Sequence, residues 1–230
     1  MAILNQYGDI SDNELNGFGV DISLQRADDL DLKLLSLIER INQKNLRVLD
    51  LGCGKGGQSL RLAKLNCKVT SVDIQNFADN IHLECTKLKI DPSKIVFIES
   101  DIRDTEEYLF GYYHFIYSQR TFHYLDYHSC SIVLKKIRSH FRKEFADTKL
   151  FISVSGLDSM LGIGYNAMDK SVQNRYGILS EEIRNKHKIF APVCLYRKHE
   201  FAALLEDCGY MIEEIFLSDF GNIKVIAHPR

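Results

Sequence analysis

The residues of this 230-residue chain best spaced for chemistry lie in Arg47-Val-Leu-Asp-Leu-Gly-Cys-Gly-Lys-Gly-Gly57. Val48, Leu49 and Leu51 read as a buried strand, with Asp50 just before its end. Gly52, Gly54 and Gly56 remove side chains where the backbone must turn tightly and let a ligand approach. Gln58 to Asn66 then places Leu62, Ala63 and Leu65 at helical spacing. A second strand, Lys68-Val-Thr-Ser-Val-Asp73, ends in an acid. Strand, glycine turn, helix and a second strand ending in a carboxylate together describe a nucleoside-binding crevice.

Asp73 falls about 20 residues past the glycines, where a carboxylate can accept hydrogen bonds from ribose hydroxyls. NAD enzymes share that arrangement. Asp50 separates the possibilities, because a carboxylate in the first turn repels a pyrophosphate but suits a ligand carrying an ammonium and a sulfonium. S-adenosylmethionine is such a ligand.

Asp50-Leu-Gly-Cys-Gly-Lys-Gly56 resembles the first motif of class I S-adenosylmethionine-dependent methyltransferases, and Asp73 matches their ribose-binding acid. Glu99-Ser-Asp101-Ile-Arg-Asp104 is similar to their adenine-contacting segment. There Asp101 would meet the exocyclic amine and the Ile102 backbone the ring. Tyr113-His-Phe-Ile-Tyr-Ser118 resembles the fourth strand, whose end lies beside the reactive methyl group. The resemblance spans roughly residues 45–155 with its motifs in order. It implies a cofactor set of Asp50, Gly52, Cys53, Gly54, Gln58, Asp73, Ile74, Asp101, Ile102 and Ser118, and S-adenosylhomocysteine as product.

The segment Ser118-Gln-Arg-Thr-Phe-His-Tyr124 follows that fourth strand. His123 can take a proton, and Arg120 can hold an anionic substrate group bidentately. The competing reading is that His123 begins a helix and Arg120 pairs with a nearby carboxylate. Tyr124, Asp158, Tyr165 and Tyr176 are candidates for substrate contact, with Asn166 and Arg175 beside them. His123, Asp126 and His128 do not share a helical face, which argues against a metal site.

One domain is expected at this length. A net charge of -2 leaves no phosphate-tracking surface, which favours a small-molecule acceptor over nucleic acid. The basic pairs Lys135-Lys136 and Arg142-Lys143 read as a solvated helix face. Six scattered cysteines without a Cys-x-x-Cys pair read as reduced, buried thiols. Met1 to Glu14 has no hydrophobic signal region, and no apolar run approaches membrane-spanning length, so the cytoplasm is the expected location and no membrane partner is expected. Oligomeric state is not legible.

Around these motifs the periodicity predicts helices over Ser23 to Asn42, Phe77 to Ile90, 130–141 and 201–208, and strands at 94–98, 113–118 and 149–155. Met211 to Leu217 and Ile223 to Ala227 read as a final antiparallel hairpin. Alternating strands and helices predict a doubly wound, mostly parallel α/β sheet, and the closing hairpin fits the reversed last strand of the class I methyltransferase sheet. Residues 1–45, with Gly8, Gly17 and Gly19, are expected to cap the crevice. The long connection 156–190 is expected to form a substrate lid. A catalytically silent relative of the family, or an NAD-dependent oxidoreductase, stands as the alternative.

Overall fold

The structure is a computed structural model that describes residues 14–142 and 144–230. Gly8 and Lys143 therefore lie outside the described residues. Seven strands form one sheet in the order β3-β2-β1-β4-β5-β7-β6. They are β1 (Arg47–Leu51), β2 (Lys68–Asp73), β3 (Ile95–Glu99), β4 (Phe115–Gln119), β5 (Lys149–Ser155), β6 (Tyr210–Leu217) and β7 (Asn222–Pro229). The first five pair in parallel, while β7 runs antiparallel to both β5 and β6. This is the doubly wound, mostly parallel sheet with a closing antiparallel hairpin that the sequence predicts, β7 being its one reversed strand.

The helices are α1 (Asp29–Ile41), α2 (Gly57–Lys64), α3 (Ala78–Leu88), α4 (Tyr127–Arg138), α5 (Glu181–His187) and α6 (Lys198–Asp207). Alternation along the strands sends side chains to opposite faces. Val48, Val69, Phe115 and Phe151 pack with Leu30, Leu34, Leu37 and Ile38 of α1 and Leu62 of α2. Leu49, Leu51, Ile116 and Ile152 pack on the other face with Val133, Leu134 and Ile137 of α4 and Phe201, Leu204 and Leu205 of α6. All six cysteines are free and buried.

The predicted first helix begins six residues late. Asp28 caps it, accepting from the Leu30 and Asp31 N–H groups, and Asp31 reaches back to the Asp28 N–H. The expected loop 156–190 contains α5 and a satellite core of Leu157, Leu161, Tyr165, Leu179 and Ile183. The helix was missed because its seven residues are mostly charged or polar, with Ile183 the one large apolar side chain among them.

Candidate active site

A cavity of about 660 Å³ opens over the carboxyl ends of the strands, the place where open α/β sheets bind ligands. Its β1–β2–β3 side carries Asp50, Gly52, Cys53, Gly54, Gln58, Asp73, Ile74, Asp101 and Ile102. The β4–β5–β7 side carries Gln119, Arg120, His123, Tyr124, Ser155 and Lys224, with Tyr176 from the 156–190 segment. Ser118, Asp158 and Tyr165 are not brought to the cavity. Ser118 is buried and donates to the Leu51 carbonyl at 2.8 Å, tying β4 to β1. Tyr165 is buried and donates to the Arg175 and Val193 carbonyls, which makes it a brace within its segment. Asp158 faces solvent.

Two glycines fix the floor of the turn. Gly52 has φ +70° and Gly54 φ +54°, and an added Cβ would strike the Thr121 side chain or the Asp21 carboxylate respectively. Asp73 accepts from the Gly54 N–H at 2.9 Å and from the Gln75 N–H at 3.0 Å, which locks the end of β2 to the turn. Asp101 is held by Arg103, whose Nε lies 3.0 Å from each carboxylate oxygen.

Asp50 points to the α1–α2 face and accepts from the Ser59 hydroxyl at 2.5 Å. Burial pushes its carboxyl up to about 7, the Ser59 bond opposes that, and Asp31, Asp73 and Asp21 add to it. Asp31 is pushed up to about 6, mainly by burial and then by Asp28. A cation at this spot would restore both charged forms. Gln58, also buried, has neither amide atom hydrogen-bonded among the described residues. Such orphaned polar groups lining a cavity are partners for a ligand. An acidic pocket with an unsatisfied amide and a glycine floor fits the ammonium, sulfonium and ribose of S-adenosylmethionine.

The N-terminal segment crosses this turn, and nothing local in the sequence signalled how. Asp21 accepts from the Lys55 N–H at 2.7 Å and from the Ser23 N–H at 2.7 Å. Ser23 in turn receives the Gly57 N–H at 3.3 Å. Farther along, Gln75 donates to the Leu15 carbonyl, Tyr124 donates to the Phe18 carbonyl, and Phe190 donates its N–H to Gly17. A second network was also missed. Tyr117 donates to Asp31 and stands next to Gln119, which donates to Asp28, while Lys224 is paired with Asp28 and Asp29.

His123 is fully buried in the short 3-10 turn Phe122–Tyr124, and neither ring nitrogen has a partner among the described residues. Burial, and then Arg120, hold its pKa down at about 3. The expected proton acceptor is thus a neutral and very weak base, better suited to hydrogen bonding. Arg120 adopts φ +53°, in the left-handed region, with its N–H bonded to the Ser153 carbonyl at 3.0 Å. No carboxylate among the described residues pairs with its guanidinium, against the competing expectation of an ion pair. Arg175, by contrast, is buried and structural, bonded to Glu200 at 2.5 and 2.8 Å and to the Leu195 and Lys170 carbonyls. Asp126 caps α4 by accepting from Ser129.

Residues 48–144 match the family model described as a methyltransferase domain. No curated protein matches the sequence. Among solved structures, magnesium protoporphyrin IX methyltransferase from Synechocystis PCC 6803, with bound SAH, superposes with a TM-score of 0.61. That match has 17% identity and covers 87% of this chain and 81% of that one. An S-adenosylmethionine-dependent methyltransferase from Clostridium acetobutylicum ATCC 824 has a TM-score of 0.64 at 11% identity, covering 89% and 93%. A 1,6-didemethyltoxoflavin-N1-methyltransferase from Burkholderia thailandensis, with bound 1,6-didemethyltoxoflavin and S-adenosylhomocysteine, has a TM-score of 0.61 at 13% identity, covering 87% and 78%. Identities this low carry the fold alone. The matched segment carries the glycine turn and both acids, and the sheet order is that of the class I S-adenosylmethionine-dependent methyltransferase fold. No helix among the described residues is long and apolar enough to cross a membrane.

Proposed function

We propose that this enzyme transfers a methyl group from S-adenosylmethionine to a small-molecule acceptor, with the cofactor on the β1–β2–β3 side and the acceptor on the β4–β5–β7 side. The observation that carries the cofactor assignment is Asp21. Its carboxylate sits on the Lys55 N–H at the start of the glycine turn's helix, the position where a dinucleotide would place its pyrophosphate. Two like charges there repel, so the alternative of an NAD enzyme is disfavoured.

Bound in this pocket, S-adenosylmethionine would supply an electrophilic methyl carbon on a sulfonium. Asp50 and Asp31 would hold the negative charge that attracts its cationic groups, Asp73 would offer carboxylate lone pairs to the ribose, and Asp101 and Ile102 would receive the base. Gln58 gains partners for its amide. Arg120 and His123 face the acceptor at the end of β4, the strand beside β1, so they stand between the two halves. Their work is placement, and alignment of the reacting atoms can supply much of the rate in a displacement of this kind. Two of the structural neighbours named above are methyltransferases of a magnesium protoporphyrin and of a didemethyltoxoflavin. Both are small molecules, which supports the same class here. The near-neutral charge supports it too.

Titration calorimetry with S-adenosylmethionine, S-adenosylhomocysteine and NAD tests the cofactor assignment. Binding of the first two without NAD is expected. Tight NAD binding with no response to either S-adenosyl ligand would end this reading.

A further inference from the structure

Among the described residues, the cavity has a half-buried cationic anchor that the cofactor reading does not use. Of its charged donors, Lys224 is paired with Asp28 and Asp29, and Arg103 with Asp101. Arg26 is exposed to solvent. Arg120 is half-buried, has no ion-pair partner among the described residues, and is held in a left-handed backbone conformation. A non-glycine residue in that region costs free energy, and at Arg120, unlike the helix C-caps Lys89 and Lys188, no helix end accounts for it. The strain is fixed from the neighbouring strand, through the Arg120 N–H bonds to the carbonyl and hydroxyl of Ser153. Beside it, His123 is 1% exposed, lines the same cavity, and has both ring nitrogens without partners. Two groups that call for a hydrogen-bonding ligand thus stand together at the acceptor side.

We propose that Arg120 and His123 form the anchor for a carboxylate on the methyl acceptor, whose apolar body lies against Met160, Leu161, Leu217 and Phe220. The proposal rests on the methyltransferase reading and names the substrate class of its second half-site. A guanidinium fork matches a carboxylate in plane and charge. The imidazole N–H of His123 adds a neutral donor. The charge is a single one because the rest of the cavity is acidic, with Asp21, Asp28, Asp31, Asp50 and Asp73 on its walls. A dianionic phosphate would meet more repulsion there than one guanidinium offsets. The apolar body follows from the apolar part of the lining. Met160 is 36%, Leu217 55% and Phe220 46% exposed, and all three border the cavity with Leu161. Side chains so placed gain most from covering an apolar ligand.

The test is calorimetric titration of the full chain with benzoate, trans-cinnamate and decanoate, with and without saturating S-adenosylhomocysteine. Cinnamamide serves as the uncharged isostere and phenyl phosphate as the dianion. At least one carboxylate should bind, and cinnamate should bind about tenfold or more tightly than the amide. Arg120→Gln should remove that difference while affinity for S-adenosylhomocysteine is kept. Arg120→Gly serves if the first variant fails to fold, because glycine accepts the left-handed conformation. No carboxylate binding at millimolar concentration, equal binding of cinnamate and cinnamamide, an unaffected Arg120 variant, or preferred binding of phenyl phosphate would each overturn the proposal. Failure of S-adenosylhomocysteine itself to bind would count against the methyltransferase reading instead, and the titrations without it would still report on the anion anchor.

Discussion

The carboxylate of Asp21 accepts a hydrogen bond from the backbone N–H of Lys55, 34 positions further along the chain, at 2.7 Å. Gly56 caps α2 and has no side chain to do so, and Asp21 supplies the negative group that the helix start favours. Ser23 takes the next free N–H, that of Gly57. The segment ahead of α1 is therefore fastened to the cofactor turn. Asp21→Ala should cost about 1 kcal/mol of stability, the usual range for a lost N-terminal cap. Thermal unfolding measures it, and an unchanged midpoint would show that the contact carries no stability.

Asp50 gives cofactor binding a pH dependence. With its pKa pushed up to about 7 by burial, it is largely protonated at pH 5.5, and a cationic ligand prefers the ionised form. Affinity for S-adenosylmethionine should therefore rise with pH, by up to about tenfold per unit below 7, and level off above it. Binding at pH 6.5 should release protons, visible as calorimetric heats that vary with the buffer. Asp50→Asn should weaken binding by about 1.5–3 kcal/mol and flatten the profile. A flat profile in the unmutated protein would place the cation elsewhere.

The same carboxyl makes a prediction about folding. Its folded pKa is raised above the unfolded value of about 3.9, so the folded state binds the proton more tightly. That contribution is complete below pH 4 and is lost as pH rises through 7. Buried His123, with its pKa lowered to about 3, acts in the opposite sense as pH falls through its unfolded value. The informative quantity is thus the difference between variant and parent. Without ligand, Asp50→Asn should be the more stable protein at pH 8, by a few kcal/mol at most, with the gap closing toward pH 5. A gap of constant size across that range would contradict the assigned shift.

His123→Ala should impair turnover without reshaping the pH–rate profile between pH 6 and 9, because the ring titrates far below that window. Arg120→Ala should act mainly through the acceptor KM. Loss of a limb near pH 6.5 in the His123 variant would restore the proton-accepting role that the sequence suggests.

Arg175→Ala should destabilise the fold by up to about 3–5 kcal/mol, since it strips the mostly buried Glu200 carboxylate of its two guanidinium bonds and leaves it only Arg197. Cofactor affinity at a temperature where the variant remains folded should not change. A variant with parental stability and lost acceptor binding would return Arg175 to the substrate site.

The βα units were legible from the sequence because their determinants are local. Alternation in Lys68-Val-Thr-Ser-Val-Asp73 and an apolar stripe in Cys130, Val133, Leu134 and Ile137 each report one face of one element. Gly52 and Gly54 report a turn that no other residue tolerates, and Asp50 and Asp73 sit at fixed offsets from them. Every predicted cofactor residue except Ser118 lies on the cavity for that reason. Ser118 failed because a strand's two faces look alike when both are buried. Tertiary structure alone decided the rest. Asp21 reaches its partner through chain reversal, Tyr117 meets Asp31 from another layer, and Lys224 arrives from the far end of the chain. The environment of His123 was equally out of reach. Its burial, not its identity, holds the imidazole neutral, and burial is a property of everything packed around it.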